Sequence, residues 1–123
     1  MGDEYSATLD ILETLAEAAH ERHGTDVVAL DMSGVPLPME AFLIVTAENR
    51  IQARAMADHL EKNARKAGLT RHHLEGYEEG SWILLDMVDL VIHVFLPETR
   101  EYYNLEMLWS DVPSMEYDDR REV

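Results

Sequence analysis

Residues 76–109 read GYEEGSWILLDMVDLVIHVFLPETREYYNLEMLW, and this stretch decides the fold. Two β-rich runs, 81–86 and 89–95, are close enough in sequence to pair as a hairpin. Pro97 ends the second run, and we predict that residues 98–109 are largely helical. Trp82 lies near the start of the first run, and Trp109 is the last residue of the stretch. The pattern therefore indicates a strand hairpin that leads directly into an aromatic helix.

Regular segments also fill the chain before this stretch. They are a helix at 6–22 with Ser6 as its cap, strands at 26–31 and 41–46 separated by a loop at 33–38, a helix at 49–67, and a strand at 71–75. The unbroken apolar run at the start of the 41–46 strand favours burial on both faces. The helix at 49–67 has an apolar stripe of Ala53, Met56, Ala57, Leu60, Ala64 and Ala67, and Gly68 is suited to a left-handed end.

The order α-β-β-α-β-β-β-α predicts the fold class. We expect an α/β single domain with a mixed sheet of about five strands and helices packed on it. The 123 residues, 46% of them hydrophobic, fit one core. We assign residues 1–110 to the domain. Residues 111–123 carry five acids, two arginines and few apolar side chains, so we predict a poorly ordered acidic C-terminal tail.

The charge of the chain is negative and unevenly distributed. The net charge is −15, yet residues 50–71 carry six of the ten bases against two acids. This basic helix is either a solvated face or a second contact surface, for another subunit or for RNA phosphates. Between residues 75 and 119 there are twelve acids and one base. An acidic, aromatic surface there would suit a basic protein and would repel nucleic acid.

Composition also excludes several classes of protein. The chain has no cysteine, which rules out disulfides and thiolate metal sites and is typical of a reducing cytoplasm. No basic region followed by an apolar run opens the sequence, so we predict no signal peptide. The longest apolar runs have five residues, and we predict no membrane span.

Trp82 is the first candidate binding residue. Strand period two places it on one face with Leu84 and Asp86, while Ile83 and Leu85 face the core. Either Trp82 packs under the last helix and Asp86 and Asp89 bracket a turn, or Trp82 anchors an interface with acids at its rim.

The last helix presents the same choice. Tyr102, Leu105 and Trp109 share one stripe, and Glu106 lies beside Tyr102 and Tyr103. Together with Leu108, these aromatic and leucine side chains cover more than one stripe. Some of them should therefore be exposed in the free monomer.

Signals for catalysis are poor by comparison. His93 near Asp86 or Asp89 could form an acid–base pair, but no nucleophile stands out nearby. Asp31, Asp86 and Asp89 could converge as metal ligands of a small nucleotidyltransferase-like enzyme. No P-loop or GxGxxG motif occurs, and we predict no cofactor.

The region 76–109 resembles the ribosomal silencing factor family, also called the Iojap family. The resemblance rests on an ordered set of residues over about 8–111: Glu75-Gly76, Trp82, Asp86, Asp89, His93-Val94-Phe95, Pro97-Glu98, Arg100, Tyr103, Leu105, Leu108 and Trp109, with Val27 to Asp31 and Gln52 to Leu69 upstream.

This resemblance implies a non-enzymatic binding protein with a nucleotidyltransferase-like fold. Such proteins bind large-subunit ribosomal protein number fourteen at the subunit interface, block joining of the small subunit and silence translation. Free members are often homodimers. We therefore predict a cytoplasmic ribosome-binding factor. Its contact residues would be Trp82, Leu84, Asp86, Asp89, His93, Tyr102, Tyr103, Leu105, Glu106 and Trp109.

The chain departs from the family pattern at three places. Met39 to Phe42 and Thr46 to Asn49 replace its Ala-Asp-Tyr-like and Thr-Gly-x-Ser segments. Val88 stands where the hairpin usually has glycine. Because valine disfavours positive φ, a primed two-residue turn at Met87 and Val88 is not expected.

Overall fold

The computed structural model describes the backbone of residues 2–119 and the side chains of residues 8–119, and it is built on a six-stranded mixed sheet. The elements follow the chain as α1 (Gly2–Glu21), β1 (Thr25–Asp31), β2 (Ala41–Thr46), α2 (Arg50–Lys66), β3 (His73–Glu75), β4 (Trp82–Asp86), β5 (Leu90–Phe95), α3 (Pro97–Tyr103), α4 (Leu105–Leu108) and β6 (Ser114–Tyr117). Among these residues no helix combines the length and the apolar composition that crossing a membrane requires.

The strands lie in the order β3-β4-β5-β2-β1-β6. The pair β2–β5 is parallel, and every other neighbouring pair is antiparallel. The predicted hairpin of β4 and β5 and the antiparallel pairing of β1 with β2 are confirmed. The sheet is mixed, as predicted, with six strands in place of about five.

The two faces of the sheet carry separate apolar clusters. The larger cluster joins α1 and α2 to one face and includes the buried α2 residues Ala53, Met56, Ala57, Leu60 and Ala64. These mostly small side chains let α2 approach the sheet closely. The smaller cluster covers the second face, where Leu30, Phe42, Ile44, Val91 and Phe95 meet Leu105, Trp109 and Val112. All six β2 residues are buried, as the apolar run predicted.

The sixth strand lies where the sequence suggested a tail. Ser114–Tyr117 pairs antiparallel with β1, with Met115 opposite Ala29 and Tyr117 opposite Val27. Met115 and Tyr117 pack against the larger cluster, while Ser114 and Glu116 are exposed. The prediction of a poorly ordered tail was therefore wrong for this segment. Four alternating residues inside an acidic stretch are too few to predict a strand. The segment forms one because it can pair with β1 at the edge of the sheet.

The last predicted helix is two helices. Asn104 has φ 45° and ψ 63°, which ends α3, and its side-chain Oδ1 then accepts a hydrogen bond from Met107 N (3.2 Å) at the start of α4. Asparagine tolerates the left-handed region and caps helices well. Residues 98–109 are largely helical, as predicted, but two short helices replace the single helix of the predicted element order.

Three smaller predictions also need correction. Helix α1 begins at Gly2, so Ser6 lies inside it and is not its cap. Ala67 ends α2 in an exposed position and does not extend the buried stripe. Strand β3 is three residues long and begins at His73. Gly68, with φ 98°, provides the left-handed end that was predicted for α2.

Candidate functional site

Trp82 is the centre of an aromatic group on the second face of the sheet. Its ring stacks on Phe95 with centroids 4.9 Å apart and lies 4.8 Å from the ring of Tyr103 in α3. Tyr102 meets Tyr103 edge to face at 5.0 Å. Trp82 is half-buried, and its neighbour Leu84 along β4 is also partly accessible. We call Trp82, Tyr102 and Tyr103 the aromatic surface.

A buried histidine holds the indole of Trp82. The indole Nε1–H donates a hydrogen bond to Nδ1 of His93 (3.0 Å), which requires the histidine tautomer with its proton on Nε2. His93 is only 3% exposed, and burial lowers its pKa to about 4. Its Nε2 has no hydrogen-bond partner among the described residues. The sequence suggested His93 as a contact residue, but the structure places it beneath the surface.

The short helices α3 and α4 present large apolar side chains to solvent. Tyr102 is 81% exposed, and in α4 Met107 and Leu108 are 71% and 67% exposed. We call Met107 and Leu108 the α4 ridge. Sequence reasoning did not place the ridge among the site residues, because only the break at Asn104 turns these side chains outward. The expectation that some residues of this segment would be exposed is confirmed.

Leu105 and Trp109 lie on the inner side of the same segment. Both are partly buried and pack against the smaller cluster, where the ring of Trp109 meets that of Phe42 at 6.4 Å. Tyr102 does not share their side, so the predicted common stripe of Tyr102, Leu105 and Trp109 is wrong. The change of direction at Asn104 separates them.

The acids near this surface have different surroundings. Oδ1 of Asp86 accepts the backbone N–H of Val88 at 2.9 Å, while Asp89 is exposed. Glu106 accepts two hydrogen bonds from the guanidinium of Arg100, at 3.2 and 2.9 Å. Asp86 and Glu106 thus already bind groups of their own chain, whereas the Asp89 carboxylate makes no such hydrogen bond within the described residues.

The three carboxylates of the catalytic alternative do not converge. Asp31 ends β1, and two strands separate it from β4, which Asp86 ends. Asp31 accepts hydrogen bonds from Ser33, at 2.6 Å from its Oγ. Over residues 8–119, whose side chains the structure describes, no group of three or more His, Cys, Asp or Glu side chains is arranged to hold a metal ion. The convergence that metal catalysis needs is contradicted.

The basic helix α2 lies on the other side of the sheet. Arg50 and Arg54 donate to the backbone carbonyls of Glu79 (2.8 Å) and Glu78 (3.0 Å) and so fasten the turn before β4. Arg65 pairs with Glu61 one helical turn away. Because α2 packs on the larger cluster, its bases form a surface separate from the aromatic surface.

A family model described as "Ribosomal silencing factor during starvation" matches residues 5–123. The chain belongs to the ribosomal silencing factor family. The ribosomal silencing factor of Halalkalibacterium halodurans is 40% identical over 107 residues, which cover 87% of this chain and 92% of that protein. The ribosomal silencing factor of Bacillus subtilis is 38% identical, with 88% and 92% covered.

The fold is likewise that of a solved structure. The crystal structure of a protein from Chromobacterium violaceum superposes with a TM-score of 0.78 at 32% identity, and the match covers 83% of this chain and 85% of that chain. The resemblance noted in the sequence is therefore confirmed as membership in the ribosomal silencing factor family.

Proposed function

We propose that this chain silences ribosomes by binding large-subunit ribosomal protein number fourteen and so preventing the small subunit from joining. Family membership supports the ribosome as the target. The observation that carries the proposal is the aromatic surface together with the α4 ridge. It comprises four large apolar side chains more than half exposed, with Trp82 half-buried at one side.

The chemistry of this surface favours a protein partner. Partly buried Trp and Tyr are the side chains that most often carry binding energy at protein interfaces. Exposed acids lie in and just after the helices that carry this surface, namely Glu98, Glu101 and Asp111, and Asp89 is exposed at the β4–β5 turn. Carboxylates in these positions attract a basic protein and disfavour the phosphates of nucleic acid. The proposal therefore involves no sequence-specific recognition of nucleic acid.

We propose two roles for the site residues, according to how exposed each side chain is. Contact with the partner falls to the accessible side chains Trp82, Leu84, Asp86, Asp89, Tyr102 and Tyr103, to which we add Met107 and Leu108. The remaining proposed residues would hold the contact residues in position, because each touches another part of the chain: His93, Leu105, Glu106 and Trp109. The first group should govern affinity directly, and the second should act through the shape of the surface.

Silencing of this kind needs no catalytic step. A protein that occupies the joining surface of the large subunit excludes the small subunit by volume alone. We propose, accordingly, a non-enzymatic factor that acts in the cytoplasm. We also propose that it is a homodimer when free.

Sedimentation of ribosomes tests this function. The chain should travel with free large subunits and be absent from joined ribosomes, and adding it to separated subunits should lower the yield of joined ribosomes. The purified ribosomal protein should also capture the chain by itself. Equal occupancy of large subunits and of joined ribosomes would contradict the silencing mechanism.

A further inference from the structure

We infer that Arg100 is a positioning residue for the proposed binding site, holding α4 in the orientation that presents the ridge to the partner. This inference rests on the proposed function. Arg100 lies in α3, its side chain is only 11% exposed, and its guanidinium reaches three other elements of the fold.

The hydrogen bonds of Arg100 connect α4 to the ends of two strands. Its Nε and Nη2 donate to the two carboxylate oxygens of Glu106 in α4, at 3.2 and 2.9 Å. Its Nη1 donates to Oγ1 of Thr46 at the end of β2 (2.9 Å) and to the backbone carbonyl of Asp26 in β1 (2.6 Å). We call these four bonds the Arg100 clamp.

Two unusual backbone conformations lie at the clamp. The pairing of β1 with β2 shifts register between Thr25 and Val28, and within that irregularity Asp26 has φ 48° while its carbonyl accepts from Arg100. Asn104, at φ 45°, ends α3 and begins the helix that carries Glu106. Aspartate and asparagine adopt the left-handed conformation more readily than other non-glycine residues, so both turns are suited to their positions, and the Arg100 clamp connects the two turns.

Packing alone does not fix the orientation of α4. None of residues 97–103 and 105–108, all described by the structure, is fully buried. A helix of four residues is not stable in water by itself. Leu105 and Trp109 supply apolar contact with the smaller cluster, but such contact has little directional preference. A bidentate arginine–carboxylate pair has a fixed geometry, so the Arg100 clamp sets the orientation of α4.

The experiment compares Arg100→Lys and Glu106→Gln with the wild-type chain. Lysine keeps the positive charge but cannot make two parallel hydrogen bonds to a carboxylate. Glutamine keeps the size and shape of the glutamate side chain but has no charge. Arg65→Lys is the matched control, because Arg65 also pairs with a glutamate, on the opposite side of the sheet. Two quantities are measured for each: the dissociation constant for the isolated ribosomal protein, and hydrogen exchange at the amides of α4 and of the central strands.

Both clamp variants should bind the ribosomal protein about tenfold more weakly, as expected when one charged, partly buried hydrogen-bonded pair is lost. The amides of Met107, Leu108 and Trp109 should exchange about tenfold faster in both, while those of β2 and β5 stay unchanged. The double variant should lose no more than the weaker-binding single variant, because the two residues act as one unit. Arg65→Lys should leave both measurements unchanged.

Two results would overturn the inference. Weaker binding with unchanged exchange in α4 would mean that the charges touch the partner directly. Faster exchange with unchanged affinity would mean that the clamp serves the fold alone. Failure of the wild-type chain to bind would instead overturn the proposed function, and it would be seen before any variant is made. If Arg100→Lys does not fold, Thr46→Val removes one strand-side bond, keeps the ion pair and should move both measurements in the same direction.

Discussion

Trp82 is held in place by two kinds of contact, ring stacking on Phe95 and Tyr103 and a hydrogen bond to His93. Together they fix one orientation of a half-buried indole, so little side-chain entropy remains to be lost on binding. Trp82→Ala should therefore weaken binding to the ribosomal protein by about 2 kcal/mol or more, which titration calorimetry measures.

The variant Trp82→Phe separates the two kinds of contact at this residue. Phenylalanine keeps an aromatic ring but has no N–H for His93, so its affinity should lie between those of wild type and Trp82→Ala. Thermal unfolding of both variants provides the control. If affinity falls only in proportion to the melting temperature, Trp82 is a residue of the fold and not an anchor of the interface.

His93 should make the folded state sensitive to acid. Folded His93 stays neutral down to its pKa of about 4, whereas in the unfolded chain it takes up a proton near pH 6.5. Its contribution to stability is therefore complete above pH 6.5 and is lost as the pH falls toward 4, at about 1.4 kcal/mol per pH unit. Urea unfolding across this range measures the slope.

The comparison variant for this acid effect is His93→Gln, whose amide does not titrate and can still accept the Trp82 N–H. The difference between the unfolding free energies of wild type and variant should shrink by up to about 3 kcal/mol between pH 6.5 and 4. A constant difference over that range would show that His93 is protonated equally in both states.

At the scale of elements, the hairpin of β4 and β5 turns through a strained residue. Val88 has φ 75°, Asp89 N donates to Met87 O at 3.1 Å across it, and Met87 N donates to Leu90 O at 2.8 Å. The tight turn is thus at Val88 and Asp89, with positive φ on a valine where the family resemblance suggested glycine. The expectation that no primed turn would form at Met87 and Val88 agrees with this position, although Val88 itself adopts the positive φ that valine disfavours.

Val88→Gly should raise the free energy of unfolding by about 1 kcal/mol, because relief of the strained φ exceeds the extra freedom of glycine in the unfolded chain. Denaturation in urea measures this change. Val88→Ala keeps a Cβ at the same φ and removes the exposed methyl groups, so it should gain less. An equal gain in both variants would trace the effect to the lost side chain and not to the backbone.

Elements with strong local patterns were predictable. The apolar run of β2, the alternation of β4 and the alanine stripe of α2 each appear within a few residues, and the structure has all three. Strand β6 and the division between α3 and α4 were missed. A strand of four residues forms only because it pairs with β1. The break at Asn104 precedes a helix whose Glu106 contacts Arg100, and no local pattern shows that contact.

At the scale of the whole molecule, the two faces of the sheet separate the charges. The bases of α2 lie with the larger cluster, and the aromatic surface lies on the other face. Arg65→Glu combined with Lys66→Glu should therefore leave affinity for the isolated ribosomal protein within about twofold of wild type, because these charges are far from the contact. Arg54 is unsuitable for this test because it donates to the carbonyl of Glu78.

Binding to intact large subunits completes the comparison for α2. A loss seen only with intact subunits would mean that α2 also touches ribosomal RNA, whose phosphates attract bases. Equal losses with the isolated protein and with intact subunits would contradict the separation of the two surfaces. Calorimetry with the protein and co-sedimentation with the subunits measure the two affinities.

The sequence alone determined the family, the α/β class, the mixed sheet and the aromatic character of the candidate site. These follow from local periodicity and from an ordered set of motif residues. Only the tertiary structure decided which aromatic residues are exposed, that His93 lies beneath Trp82, and that Glu106 is held by Arg100. Arg100 and Asp26 are 74 residues apart in the chain. No local sequence pattern predicts such a contact, because the two residues meet, and stabilise each other, only after the strands and helices have packed together.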